Sequence, residues 1–72
     1  MAKIIIDEKT RHGKPIIEGT RVTVDDVLGW LENGMDYEEI KEEYGITKEN
    51  ILAVIRYASS IVRGEEVHKA TA

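Results

Sequence analysis

The chain has 72 residues, of which 42% are hydrophobic and 33% charged, and it contains no cysteine. A chain of this length forms one domain with a small core, and the absence of thiols excludes disulfides and cysteine-bound zinc. The net charge of -4 argues against a dedicated nucleic-acid binder, because such affinity depends on Lys and Arg side chains meeting phosphates.

Membrane and export signals are not evident in the sequence. The apolar runs are far shorter than the roughly 20 residues that a transmembrane helix needs. No apolar core follows a basic start in the way that a signal peptide requires. We therefore expect a cytoplasmic protein without a membrane partner.

The N-terminal part of the chain predicts two short strands. Residues 4–6 are all isoleucine and end at a polar run, which is typical of a strand that enters a turn. The expected partner strand is 15–17, because Pro15 cannot donate to a sheet and suits the start or edge of a strand. We expect the apolar edge of strand 4–6 to associate with a second copy, which makes the protein at least a homodimer.

A first helix is predicted over 24–33, with Thr23 as its N-cap and Gly34 at its stop. Helical spacing places four apolar residues on one face, and Trp30 on the flank of that face. These four residues are Val24, Val27, Leu28 and Leu31.

A second helix is predicted over about 37–44, because Asp36 and Glu39 have the spacing of a capping box and Gly45 follows. This helix is strongly acidic. Ile40 and Tyr44 are one helical turn apart, so we expect both to face the core.

A third and longest helix should begin after Thr47, run to about residue 63 and stop at Gly64. Leu52 and Tyr57 lie on the two flanks of its apolar stripe and are candidates for a contact. The stripe comprises Ile51, Val54, Ile55, Ala58, Ile61 and Val62, and the opposite face comprises Ala53, Arg56 and Ser60.

These elements predict a mostly α fold, in which a short N-terminal β-hairpin precedes a three-helix core that contains a helix-turn-helix. Residues 1–64 would form this single domain. Residues 65–72 follow the expected helix stop and would form a flexible tail.

The segment from Gly13 to Val24, which reads GKPIIEGTRVTV, resembles the opening of domain-of-unknown-function family 433. The resemblance continues over nearly all of residues 3–60. It implies a homeodomain-like helix-turn-helix fold. For many members it also implies a role as an antitoxin encoded beside a PIN-like or related ribonuclease-type toxin.

Candidate partner contacts come from the turns, the helix flanks and the tail. Lys14 and Arg21 could meet acidic groups of a partner, although Arg21 could equally pair with a local acid. The carboxylates of the tail could meet basic groups at the substrate cleft of a ribonuclease. The full set of candidate contacts is Lys14, Arg21, Trp30, Leu52, Tyr57, Glu65 and Glu66.

DNA recognition would use the third helix. Lys48, Asn50 and Arg56 are the candidate contacts, since Asn can read adenine and Arg can read guanine in a major groove. The acidic second helix and Glu49 oppose phosphate, so direct DNA binding by a monomer should be weak.

Catalysis is not expected. The chain has no cysteine nucleophile, and Ser59 and Ser60 have no adjacent base in the sequence. His12 and His68 lie in no metal-ligand spacing, so we expect neither a metal nor a cofactor. The sequence and the resemblance together predict an antitoxin-like module that sequesters a cognate toxin, with autoregulatory DNA binding as a second role. The alternative is a stand-alone helix-turn-helix regulator.

Overall fold

The computed structural model describes the backbone of residues 2–71 and the side chains of residues 2–64. A two-stranded sheet, β1 (Ile4–Ile6) and β2 (Pro15–Ile17), precedes three helices. The helices are α1 (Val24–Glu32), α2 (Tyr37–Tyr44) and α3 (Lys48–Thr71). The predicted fold, a short hairpin followed by three helices, is confirmed.

The hairpin is antiparallel, with Ile4 opposite Ile17 and Ile6 opposite Pro15. Both strands have the predicted limits. The connection between them contains a short 3-10 turn in which two residues other than glycine, Arg11 and His12, have φ angles of 52° and 59°. Residues other than glycine rarely adopt such left-handed φ angles, so tertiary contacts must stabilise this turn.

Helices α1 and α2 each begin at a complete capping box. The hydroxyl of Thr23 accepts from the N–H of Asp26 at 2.9 Å, and Asp26 accepts from the N–H of Thr23 at 3.1 Å. Asp36 and Glu39 make the same reciprocal pair at the start of α2. At the end of α2, Gly45 adopts a left-handed φ of 71° and its N–H donates to the carbonyl of Lys41. These local signals explain why both helices lie where the sequence predicts them, α1 ending one residue early.

Helix α3 begins after Thr47 as predicted but does not end where predicted. It runs through Gly64 to Thr71, so the helix stop expected at Gly64 is wrong. An exposed glycine lowers helix stability without preventing the helix, which is why its presence alone does not mark an end. The side chains of residues 65–72 lie outside the described residues, so the flexible tail expected there stays a prediction.

The core lies where the hairpin and the three helices meet. Its buried members share branched aliphatic side chains and come from β2, all three helices and the turn before α3. They are Ile17, Val24, Val27, Ile40, Ile46, Ile51 and Val54.

The predicted orientations of Tyr44 and Ala53 are wrong. Tyr44 is 47% exposed instead of facing the core, because it lies over Trp30 at the edge of the α1–α2 contact. Ala53, expected on the free face of α3, is buried because β1 and the preceding residues pack against that side. Leu28, Ile61 and Val62 lie on the apolar faces that helical spacing predicts, and they are 37%, 46% and 52% exposed.

Candidate interaction surfaces

The start of α3 carries the first predicted DNA contact. The ammonium nitrogen of Lys48 lies 5.5 Å from the centroid of the Tyr37 ring, which is a cation–π distance. Beside it, α2 and α3 enclose a groove of about 680 Å³ whose walls also include Glu38, Lys41 and Glu49. Two glutamates therefore line the same groove as the two lysines, and the surface is not a basic patch.

Asn50, the second predicted DNA contact, completes the cap of α3. Its side-chain carbonyl accepts from the backbone N–H of Thr47 at 3.1 Å and from the hydroxyl of Thr47 at 2.8 Å. A bidentate contact with adenine uses the same carbonyl as acceptor. The cap therefore competes with base recognition.

Arg56, the third predicted DNA contact, is exposed in a different groove. This groove has a volume of about 410 Å³ and brings Arg56 together with Ala2, Glu49, Leu52 and Ala53. The structure thus joins Arg56 to Leu52, one of the predicted partner contacts. It does not assemble Lys48, Asn50 and Arg56 into one site.

The turn around the hairpin is held by an arginine that the sequence did not single out. Arg11 donates from Nη1 to the carbonyl of Arg21 at 3.0 Å and lies 3.2 Å from Oδ2 of Asp26. Among the side chains that the structure describes, this is the one ion pair within 4 Å. Arg21, for which pairing with a local acid was one of the two expectations, forms no ion pair with a side chain that the structure describes. The side chains of Lys14 and Arg21 are both exposed.

Asp26 has a shifted pKa as a result. Partial burial raises the pKa of the Asp26 carboxyl, but hydrogen bonds from Thr23 and the charge and hydrogen bond of Arg11 lower it. The lowering causes prevail together, so the pKa lies below the usual 3.8 of an aspartate. Asp26 thus links the hairpin turn to the start of α1 as a carboxylate.

An aromatic pair covers the contact between α1 and α2. The rings of Trp30 and Tyr44 are parallel, with 3.8 Å between centroids and 4° between planes. Trp30 is half-buried against the core, and Tyr44 lies over it toward solvent. This stack offers a flat, partly exposed apolar surface of the kind that anchors protein interfaces.

A second apolar surface lies along α1 and the later turns of α3. Leu28, Ala58 and Val62 form what we term the apolar ridge, because they line two grooves, one on each side. The first groove has a volume of about 360 Å³ and also includes Ile55, Ser59 and Arg63. The second has a volume of about 310 Å³ and also includes Pro15, Val24, Asp25, Tyr57 and Ile61.

The predicted partner contacts are therefore distributed over separate surfaces. Trp30 belongs to the aromatic stack, Leu52 to the Arg56 groove and Tyr57 to the second groove of the apolar ridge. Glu65 and Glu66 lie outside the residues whose side chains are described. The sequence missed Tyr44 and the ridge, because helical spacing assigned both to the core.

Within the described residues, no group of three or more His, Cys, Asp or Glu side chains is placed to hold a metal ion. None of the helices, over the same part of the chain, combines the length and apolar character needed to cross a bilayer.

Comparisons with known proteins point to one family. A family model described as "Protein of unknown function (DUF433)" matches residues 4–58. A Mycobacterium tuberculosis (strain ATCC 25618 / H37Rv) protein named "Putative antitoxin VapB45" is 32% identical over 50 residues, which are 69% of this chain and 21% of that protein. The chain thus spans about a fifth of the length of that relative. No solved structure matches the chain.

Proposed function

We propose, from the premise that this chain belongs to the DUF433 family, that it is an antitoxin-like module that binds and sequesters a ribonuclease-type, PIN-like toxin. The observation that carries the proposal is the similarity to a protein named as an antitoxin, which extends over 69% of the chain. We assign no catalytic role to the chain itself.

The surface best suited to such a toxin is the Trp30–Tyr44 stack together with the acidic side chains of α2. Half-exposed aromatic side chains are frequent anchors of protein interfaces. Glu38, Glu42 and Glu43 are exposed on α2, and a ribonuclease must present basic groups to bind RNA. Opposite charges on the two partners favour their encounter and orient it.

The experiment is purification of the chain with the product of the adjacent gene, followed by titration of the two purified proteins. We expect a stoichiometric complex, and growth rescue when both genes are expressed together. Tyr44→Ala should weaken binding at least tenfold, because it removes half of the aromatic stack. Tyr37→Ala is the matched control, since Tyr37 is also a partly exposed tyrosine of α2 but lies outside the stack.

The outcomes separate the surface from the function. A wild-type chain that neither binds the adjacent gene product nor rescues growth would contradict the antitoxin proposal. Equal affinity of the Tyr44→Ala and Tyr37→Ala variants for the toxin would be compatible with the antitoxin function but would remove the aromatic stack from the interface.

A stand-alone DNA-binding regulator is the second candidate, favoured by the short helix, turn and long helix that α2 and α3 form. Lys48 and Arg56 are exposed on α3 and available to phosphates. Titration against upstream DNA should then show a steep loss of affinity with salt and a further loss in the Lys48→Ala, Arg56→Ala double variant. Salt-independent binding, or no change in the double variant, would contradict this candidate.

A further inference from the structure

We propose that the apolar ridge formed by Leu28, Ala58 and Val62 is a homodimer interface, in which the ridge of each copy lies in the second groove of the other. The inference does not depend on toxin binding. It also replaces the strand-edge contact that the sequence predicts as the route to a dimer.

The first argument is the position of the ridge. Helix α3 has 24 residues and α1 has nine, which correspond to about 36 Å and about 14 Å of helix. The shorter helix covers only part of the apolar stripe of α3. Beyond that cover, Ile61 and Val62 stay about half exposed, next to the exposed Leu28 of α1. A continuous apolar surface on so small a domain is typical of an interaction site.

The second argument is that the surface is complementary to itself. A two-fold interface requires one patch that fits a copy of the same patch. Here one ridge lies between two grooves of similar volume, about 360 Å³ and about 310 Å³. A two-fold axis that is parallel to the ridge and lies between the ridge and the second groove places each ridge in the second groove of the partner, as in packing of helix ridges into grooves. The small side chain of Ala58 allows the two α3 helices to approach closely.

The third argument is charge. Asp25 lies on the wall of the second groove, and Arg63 lies in the first groove, on the far side of the ridge. When the ridge of the partner subunit occupies the second groove, the far side of that ridge faces the groove wall that includes Asp25. Asp25 therefore meets the Arg63 of the partner subunit, and the reverse contact forms by symmetry. A second copy of this chain therefore presents a positive charge to the negative charge on the groove wall.

The edge of strand β1 is less suited to a dimer interface than the apolar ridge is. Ile4 and Ile5 are half-buried, and Ile4 packs against the core of its own chain. Only Ile6 of β1 is largely exposed, at 61%. A strand of three residues also provides few backbone hydrogen bonds to a partner.

The absence of native cysteine allows a direct test by single-cysteine variants of the full chain. The proposed axis places the two copies of position 62 at the same height and side by side, within reach of a disulfide. Under mild oxidation, Val62→Cys should form a covalent dimer at least tenfold faster than Ser60→Cys. Ser60 is the matched control because it is exposed on nearly the same turn of α3 but points away from the ridge.

Oxidation of both variants at the same slow rate would overturn the proposal. A charge exchange gives an independent result: Arg63→Glu and Asp25→Lys should each weaken self-association, and an equimolar mixture of the two should associate better than either alone. A wild-type monomer whose toxin binding is lost in Val62→Asp would assign the groove to the toxin and also overturn the proposal.

Discussion

Two parts of α3 carry the same apolar stripe but meet different surroundings. In the proximal segment, residues 48–57, Ile51 and Val54 are fully buried against the hairpin and the other two helices. In the distal segment, residues 58–64, Ile61 and Val62 continue the stripe into solvent. Helical periodicity therefore identifies an apolar face, whereas the length of the neighbouring elements decides whether that face belongs to the core or to an interface.

The largest contrast is expected from truncation of one aliphatic side chain in each segment. Ile51→Ala should lower the free energy of unfolding by about 2 to 5 kcal/mol, because it leaves a cavity in the core. Val62→Ala should change the free energy of unfolding by less than about 0.5 kcal/mol at concentrations where the protein is monomeric. Chemical denaturation of both variants measures this contrast. Similar losses in the two variants would show that the distal segment is part of the core.

The cap of α1 is the next largest effect and belongs to the buried part of the molecule. Thr23 is 1% exposed, and its hydroxyl accepts from the N–H of Asp26. Thr23→Ala should cost about 1 to 2 kcal/mol, near the upper end for N-caps, whereas the exposed cap variant Thr47→Ala should cost about 0.5 to 1 kcal/mol. Thermal melts can rank the two, and a larger loss in Thr47→Ala would contradict this account.

Substitution of two glycines by alanine should change stability with opposite signs, because Gly45 lies in a left-handed turn and Gly64 lies within a helix. Gly45 has a left-handed φ of 71°, so Gly45→Ala should destabilise by about 1 kcal/mol. Gly64 is within α3, and an added Cβ would meet nothing within 4 Å. Gly64→Ala should therefore stabilise the helix by up to about 1 kcal/mol. Circular dichroism and melting give both signs, and destabilisation by Gly64→Ala would restore the helix stop that the sequence predicts.

These results explain which parts of the fold were predictable. Strand limits and helix starts depend on residues close in sequence, such as Thr23 with Asp26 and Asp36 with Glu39, and the sequence predicted them correctly. The exposure of Tyr44 and the burial of Ala53 depend on which element packs alongside. Local spacing contains no information on that packing, and the paired grooves of the apolar ridge were missed for the same reason.

The candidate sites show the same division. Lys48, Asn50 and Arg56 share one helix in the sequence, yet the cap occupies Asn50 and separate grooves hold the other two. Arg11 carried no sequence signal, because its role depends on a left-handed turn that places it beside Asp26.

The smallest expected effect concerns pH. The pKa of Asp26 in the folded chain lies below the usual 3.8, so the contribution of its carboxylate to stability is complete above that pH. This contribution is lost as the pH falls through the folded-state pKa. Asp26→Asn should thus lose less than about 1 kcal/mol at pH 7, since the Arg11 pair is partly exposed, and should approach the wild type under acid conditions. A difference that stays constant from pH 7 to pH 2 would contradict the ionic role.

The central claim is that the proximal segment of α3 folds the chain and the distal segment associates two chains. The most direct measurement is light scattering of the wild type and of Val62→Asp over a range of micromolar concentrations, with circular dichroism to verify the fold. The account predicts twice the chain mass for the wild type and the single chain mass for a variant that stays equally helical. A wild type that is monomeric throughout, or a Val62→Asp variant that remains a dimer, would contradict it.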